Sequence, residues 1–220
     1  MIVPVIDEAA HLALVLSAPG LNDSAVEVIV VDGGSHDGSA EMAGRLGVRV
    51  LRSPNLGRAA QMNHGAGHAR GEVLVFLHAD TLLPEGWREA VREALGGERE
   101  CVGGCFRRRF ASDSRLLRIT AWMADWRVRL GGPSFGDQVQ WVRADAFRRL
   151  GGFLITDELE DVDFSLRLRS LGRTVLLRPV VVSSDRRFHR RGVVRQTWAD
   201  ALTLGRWFFV RNKKSGGRSH

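Results

Sequence analysis

The first hundred residues alternate short apolar runs with stretches of helical period, and several of the runs stop at an acidic residue. Met1–Ile6, Glu27–Val31, Val48–Leu51 and Val73–Leu77 read as strands. Ala9–Ser17, Ser39–Leu46, Arg58–Ala69 and Pro84–Leu95 read as helices. That order predicts an α/β fold with a mostly parallel sheet and helices on both faces. In such sheets ligands collect at the carboxyl ends of the strands. The acids expected there are Asp7-Glu8, Asp32 and Asp80, with Glu160-Asp161 and Asp163 arriving from a later helix. Like charges gathered at one edge repel unless a cation or hydrogen bonds compensate. A carboxylate at such a tip is a natural seat for a hard divalent cation and a diphosphate. The plainer alternative is that each aspartate closes a turn or caps the next helix.

The second half reads as strands at Gly103–Phe110, Val139–Val142 and Thr174–Val182. Helices are expected at Ser114–Leu130, Asp145–Leu150, Glu160–Leu171 and Val193–Phe209. On Ser114–Leu130, the residues Leu116, Ile119, Met123, Trp126 and Leu130 share one face. Charge is split between the halves: residues 1–110 carry 11 basic and 14 acidic side chains, net −3, and residues 111–220 carry 21 and 11, net +10. A basic second half suits an anionic ligand, an anionic membrane surface or nucleic acid. Lysine occurs only at 213 and 214, so the basic side chains are almost all arginine, which suits bidentate contact with phosphate. Cys101 and Cys105 have no metal-ligand spacing. On one strand their Cα atoms lie roughly 13 Å apart, too far for a disulfide. They read as buried thiols in a reducing compartment. No run of about 18 apolar residues occurs, and Met1–Ile6 reads as a strand rather than a signal peptide. The expected localisation is therefore cytoplasmic, or peripheral to the inner membrane face.

Six segments occur in order: Pro4-Val5-Ile6-Asp7-Glu8, Val30-Val31-Asp32-Gly33-Gly34-Ser35-His36-Asp37-Gly38, Gly57-Arg58-Ala59-Ala60-Gln61-Met62-Asn63-His64-Gly65, His78-Ala79-Asp80-Thr81, Gly136-Asp137-Gln138 and Glu160-Asp161. Together they resemble family 2 glycosyltransferases of the GT-A fold, over about residues 1–190. The nearest subgroup is the short, soluble one labelled arsenosugar-biosynthesis-type, a label for a pathway context that assigns no substrate. The resemblance implies a Rossmann-like GT-A domain over 1–211. Its nucleotide-binding half spans 1–100, its acceptor and catalytic half 101–192 and a C-terminal aromatic and basic helix 193–211, before a flexible tail at 212–220. It implies inverting transfer of a sugar from a nucleotide-diphosphate sugar to an acceptor hydroxyl, with a divalent cation, Mg or Mn, as cofactor. Asp161 matches the general base and Asp80 the metal-binding aspartate. Pro4, Glu8, Asp32, Arg58, Gln61, Asn63 and His78 match the nucleotide-binding positions, with His78 where the family often has an aspartate. Asp137, Gln138 and Glu160 fall on the acceptor or sugar side, and Arg186 and Arg187 are candidate diphosphate contacts. Glu160 and Asp161 point about 100° apart on a helix, so they divide roles. Crowding by Asp157, Glu158 and Asp163 would raise a carboxylate pKa there.

Competing readings fare worse. A sugar nucleotidyltransferase needs a glycine-rich, basic phosphate loop after the first strand, and Pro4–Glu8 is acidic. A basic RNA-binding domain lacks an RNA motif, and its aromatics crowd the tail. No nucleic-acid partner is expected. A dinucleotide oxidoreductase lacks G-x-G-x-x-G after strand one. The expected partners are the donor and an acceptor the sequence does not specify. The tail, with Trp198, Trp207, Phe208 and Phe209 among Arg206, Arg211, Lys213 and Lys214, has two readings. It is either a peripheral membrane anchor or a helix packed on the domain.

Overall fold

The computed structural model describes residues 1–97, 101–155 and 159–216, with the side chains of 187, 190, 191 and 210–216 left aside. Asp157 and Glu158 lie outside the described residues. The chain runs β1 (Ile2–Val5), α1 (Ala9–Leu16), β2 (Ile29–Asp32), α2 (Ser39–Arg45), β3 (Arg49–Arg52), α3 (Arg58–His68) and β4 (Val73–Phe76). It continues β5 (Thr81–Leu82), α4 (Trp87–Leu95), β6 (Cys101–Phe110), α5 (Arg115–Arg129), a 3-10 turn (Gly136–Gln138) and β7 (Gln140–Arg143). Then come α6 (Ala144–Leu150), α7 (Glu160–Leu171), β8 (Arg173–Ser183), α8 (Arg186–Arg191) and α9 (Val193–Gly216). The alternation expected from the sequence is present. Two short elements, β5 and α8, are additions, and α9 carries on through 212–216, where a flexible tail was expected.

The strands form one sheet in the order β3-β2-β1-β4-β7-β6-β8-β5. β3-β2, β2-β1, β1-β4 and β6-β8 are parallel, while β4-β7, β7-β6 and β8-β5 are antiparallel. The first half is therefore the parallel sheet expected, and antiparallel β7 makes the second half mixed. β1 has β2 on one side and β4 on the other, so the chain reverses its direction of travel across the sheet at β1 and β4. The crevice at such a reversal, beyond the carboxyl ends, is where open α/β sheets bind ligands.

Side chains alternate across the strands and feed two cores. Val3, Val5, Val30 and Leu77 pack with Leu12 of α1, Ala43 of α2 and Trp87 of α4. Ile2, Ile29, Val31 and Phe76 pack on the other face with Met62 of α3, Phe147 of α6 and Phe164 of α7. The second core holds an aromatic cluster in which Phe76 and Phe153 meet edge-on at 4.8 Å and Phe153 lies 4.4 Å from Phe164. Phe164 is fully buried, so Phe164→Ala is expected to cost about 3–5 kcal/mol, read as a lowered chemical-denaturation midpoint. α3 lies close on the sheet because residue 65 has no side chain: a Cβ there would stand 2.6 Å from Ile2 and 2.8 Å from Val31.

α5 buries Leu117, Ala121, Ala124 and Asp125. Its apolar stripe, Leu116, Ile119, Met123, Trp126 and Leu130, faces outward together with Trp122. Cys101 and Cys105 are buried free thiols, and burial pushes Cys105 up to about 12. No described helix is long and apolar enough to cross a membrane.

Candidate active site

At the β1–β4 reversal lies a cleft of about 960 Å³. Its walls come from the carboxyl ends of β1 and β4, the first turns of α3 and α7, the 3-10 turn, the end of β8, and one side each of α5 and α9. Of the residues singled out in the sequence, Pro4, Glu8, Arg58, Gln61, His78, Asp80, Asp137, Glu160, Asp161 and Arg186 line it. Segments as distant as residues 4 and 186 thus meet in one cavity.

The loop after β1 is held open by the loop after β2. The N–H of Glu8 donates to Ser39 Oγ (3.0 Å), that of Ala9 to Asp37 Oδ2 (2.8 Å), and that of His36 to Asp7 Oδ1 (2.7 Å). Gly33–Gly38 is thereby a brace for the first loop. Among the described residues, the non-glycine residues with positive φ are Asp7 (50°), Val139 (49°) and Leu159 (60°). Asp7 and Val139 lie within two residues of cleft-lining positions, and Leu159 lines the cleft itself. A β-branched residue such as Val139 pays most for this conformation, and strain of this kind concentrates at functional sites.

Two charged clusters occupy the cleft. In the first, Arg186 Nη2 donates to both carboxylate oxygens of Glu8 (2.8 and 2.9 Å) and stands 3.4 Å from Asp80 Oδ2. Hydrogen bonding to Glu8 is the main reason the Arg186 guanidinium holds its proton more tightly than usual. Two carboxylates against one arginine leave this end net negative, which suits a cation. Among the described residues no three His, Cys, Asp or Glu side chains are grouped to hold a metal. One carboxylate completed by substrate phosphates is how Mg-type sites are commonly built, so the donor set at Asp80 fits that kind of ion.

In the second cluster, Arg58 Nε pairs with Glu160 and its Nη2 stands 3.9 Å from Asp161 Oδ2. Its Nη1 is 3.5 Å from His78 Nε2. The Asp161 carboxylate accepts the N–H of Gly136 at Oδ2 (2.6 Å) and that of Val162 at Oδ1 (2.7 Å). Burial pushes its pKa up; Arg58 opposes the rise and Glu160 adds to it. The expected crowding by neighbouring acids is not the main cause. Asp163 is paired with Arg167 one turn on. For Arg58, burial alone would favour loss of its proton, but Asp161 and Glu160 outweigh it, so the guanidinium stays charged.

Three polar residues singled out in the sequence stand off the cleft. Gln138 is fully buried, and its Oε1 accepts from Arg127 Nη2 (3.2 Å) and the Phe135 N–H (3.3 Å). Asn63 grips the backbone of Phe153, donating to its carbonyl (2.8 Å) and accepting its N–H (2.9 Å). Asp32 is 1% exposed and accepts the N–H groups of Gly34 (3.1 Å) and Ser35 (3.0 Å). Burial raises the Asp32 pKa, but hydrogen bonds from Ser35 and Gly34 and the charge of Arg52 outweigh it and hold the carboxyl below its usual range. Gln61 lines the cleft, but its amide donates to the carbonyls of Val5 and Val31, both at 2.8 Å, tying α3 to β1 and β2. The side chain of Arg187 lies outside the described residues.

Arg108 and Arg127 line the cleft and were missed in the sequence. Arg108 pairs with Asp137, and Arg127 lies over the Phe135 ring at 4.3 Å and donates from Nε to the Pro133 carbonyl (2.8 Å). Burial first, and Arg108 second, bring the Arg127 guanidinium down to about 10. Arg107, Arg108 and Arg109 are consecutive, and tertiary packing alone gives Arg107 to Asp125 and Arg108 to Asp137.

A family model described as Glycosyl transferase family 2 matches residues 1–154. The succinoglycan biosynthesis protein ExoA of Rhizobium meliloti (strain 1021) is 26% identical over 196 residues, 78% of this chain and 58% of that protein. The mannosyltransferase PcManGT from Pyrobaculum calidifontis, solved in complex with GDP-Man and Mn2+, is 22% identical with a TM-score of 0.65, covering 92% of this chain and 63% of the other. Glucosyl-3-phosphoglycerate synthase from Mycobacterium tuberculosis, in complex with Mn2+, UDP and glucosyl-3-phosphoglycerate, is 21% identical with a TM-score of 0.56 over 92% of this chain and 77% of the other. The chain thus spans less than two thirds of the length of ExoA and of PcManGT. The structural likeness agrees with the mixed sheet, and the family match runs through β1, β4, β7 and the 3-10 turn, so the chain belongs to glycosyl transferase family 2.

Proposed function

We propose that this protein transfers a sugar from a nucleotide-diphosphate sugar to an acceptor hydroxyl, with inversion, and that Asp161 is the general base. The observation that carries the reading is the shared cleft: a cation-seeking carboxylate end and a buried carboxylate with a raised pKa face one cavity. The nucleoside end is assigned to Pro4–Glu8, where the loop after β2 braces the first loop through Ser39 and Asp37. Asp32 contributes by shaping that second loop.

Asp80 would hold a divalent cation, Mg or Mn, and Glu8 shares Arg186 with it. When bound, such an ion stabilises charge on the departing diphosphate. That PcManGT and glucosyl-3-phosphoglycerate synthase were both solved with Mn2+ supports a divalent cation as cofactor. Arg186 is placed to pair with diphosphate oxygens if it exchanges a carboxylate partner for them. Arg58 holds Glu160 and fixes the Asp161 side of the cleft. Asp161 takes the acceptor proton: its raised pKa makes it a stronger base than an exposed carboxylate, and two backbone N–H groups hold it in one orientation. Asp137, held by Arg108, and Arg127 form the acceptor side. The partners are the donor, an acceptor alcohol and, through α9, a membrane surface.

The reading is tested by incubating the protein with a panel of UDP- and GDP-sugars and Mn2+, and measuring nucleoside diphosphate release. Release from one donor that stops with EDTA supports it. No release from any donor, with binding of none, would count against it. The 3-10 turn provides a second check. A Cβ at Gly136 would lie 2.7 Å from His78 Cε1 and 3.1 Å from Asp161 Oδ2. Gly136→Ala should therefore displace both side chains and lower kcat at least about ten-fold, while the melting temperature changes little. Paired kinetics and thermal melts read both effects.

A further inference from the structure

Beside the cleft lies an exposed surface that touches it only at the rim, through Met123 and Ala201. On α5 the exposed residues are Leu116, Ile119, Trp122, Met123 and Trp126, with Arg115, Arg118 and Arg129. On α9, over 193–209, they are Val194, Trp198, Leu202 and Phe209, with Ala201, Gly205, Arg195 and Arg206. Every exposed residue on these two stretches is therefore apolar or arginine. At about 100° per residue, the α5 stripe lies diametrically opposite Leu117, Ala121 and Ala124, the side that faces the core. The α9 stripe likewise lies opposite Gln196, Thr203 and Leu204, which face the cleft. Trp122 is 60% and Trp198 67% exposed. The two helices touch, and both wall the cleft.

We infer that α5 and α9 together form a face that docks on an anionic lipid bilayer. This extends the membrane contact of α9 proposed above to a two-helix surface with a stated lipid chemistry, and it rests on that contact rather than on the transfer chemistry. Tryptophan, leucine and phenylalanine flanked by arginine is the pattern of a helix lying in the bilayer interface. Anionic headgroups attract the arginines, and over 115–129 and 193–209 no exposed residue is acidic. A second copy of the chain is a poor occupant, because self-association would set arginine against arginine. No described helix can span a bilayer, so the face lies on the membrane surface. Because α9 carries cleft residues on its inner side and the apolar stripe on its outer side, docking brings the cleft wall to the bilayer.

The test is flotation of the full chain with phosphatidylcholine vesicles, with and without about 30% phosphatidylglycerol, and without donor. Binding is expected to be at least about ten-fold tighter with the anionic lipid and to weaken as salt rises. Trp122→Ser with Trp198→Ser should weaken it at least about ten-fold, while Leu56→Ser, another exposed apolar site, should not. Arg118→Gln with Arg206→Gln should lower the anionic preference by about 25-fold, each arginine being worth about five-fold. Thermal melts confirm that each variant is folded. Absence of wild-type binding to either vesicle overturns the inference, as does unchanged binding by the tryptophan pair. Concentration-dependent dimerisation that the tryptophan pair abolishes, without vesicle binding, also overturns it. Because no donor is present, these outcomes leave the transferase reading untouched.

Discussion

Asp161→Asn is expected to lower kcat by about 10²–10⁴-fold while donor binding changes only a few-fold. The substitution keeps size and position but removes the proton acceptor. Asp161 receives two backbone N–H groups, and an asparagine oxygen satisfies only one of them, so a modest loss of stability accompanies the change. A melting curve separates that loss from the loss of rate. If donor affinity falls with kcat to the same degree, Asp161 is holding the cleft together rather than accepting a proton. The pH dependence has a fixed sign. Burial raises the Asp161 pKa, so the acid limb of kcat/KM should lie above the ordinary carboxylate range, with activity lost as pH falls through it. Arg58→Gln should move that limb further up, because it removes the positive charge that opposes the rise.

Asp80→Ala is expected to abolish the enhancement of nucleotide binding by Mn2+ and to reduce kcat/KM at least about a hundred-fold. Arg186 retains both of its bonds to Glu8 in this variant, so the loop after β1 keeps its neutralising partner. The fold should survive, and the effect should be confined to metal-linked binding. Calorimetric titration of nucleoside diphosphate in Mn2+ and in EDTA measures it. Wild-type affinity in EDTA that matches Asp80→Ala in either condition supports the assignment. Full Mn2+ enhancement in the variant would move the metal to another carboxylate.

The first half of the fold was legible because Val30, Val31, Leu74 and Val75 lie in strands buried on both faces, and such strands appear as unbroken apolar runs. β5, only two residues long, and α8, Arg-Arg-Phe-His-Arg-Arg, have no period to read. α5 shows what periodicity omits. The repeat fixes that Leu116, Ile119 and Trp126 share a face, but not that the face looks outward, because small Ala121 and Ala124 suffice on the core side. At the site, motif order placed Asp80, Arg58 and Asp161 in one cleft. It could not reveal how polar side chains divide their bonds. Asn63 and Gln138 carry suitable groups, but Phe153 and Arg127 with Phe135 use them, and those partners are set by tertiary packing. The raised pKa at Asp161 was expected from neighbouring acids and comes mainly from burial, which local sequence does not encode.

On the proposed reading, one cleft at the β1–β4 reversal holds the nucleotide, its cation and the base. A crystal structure with Mn2+ and the nucleoside diphosphate that gives the largest thermal shift tests it most directly. The expected result is the cation on Asp80, diphosphate oxygens within reach of Arg186, and an open volume beside Asp161 on the acceptor side. A nucleotide bound on another surface, or a cation that leaves Asp80 untouched, would contradict it.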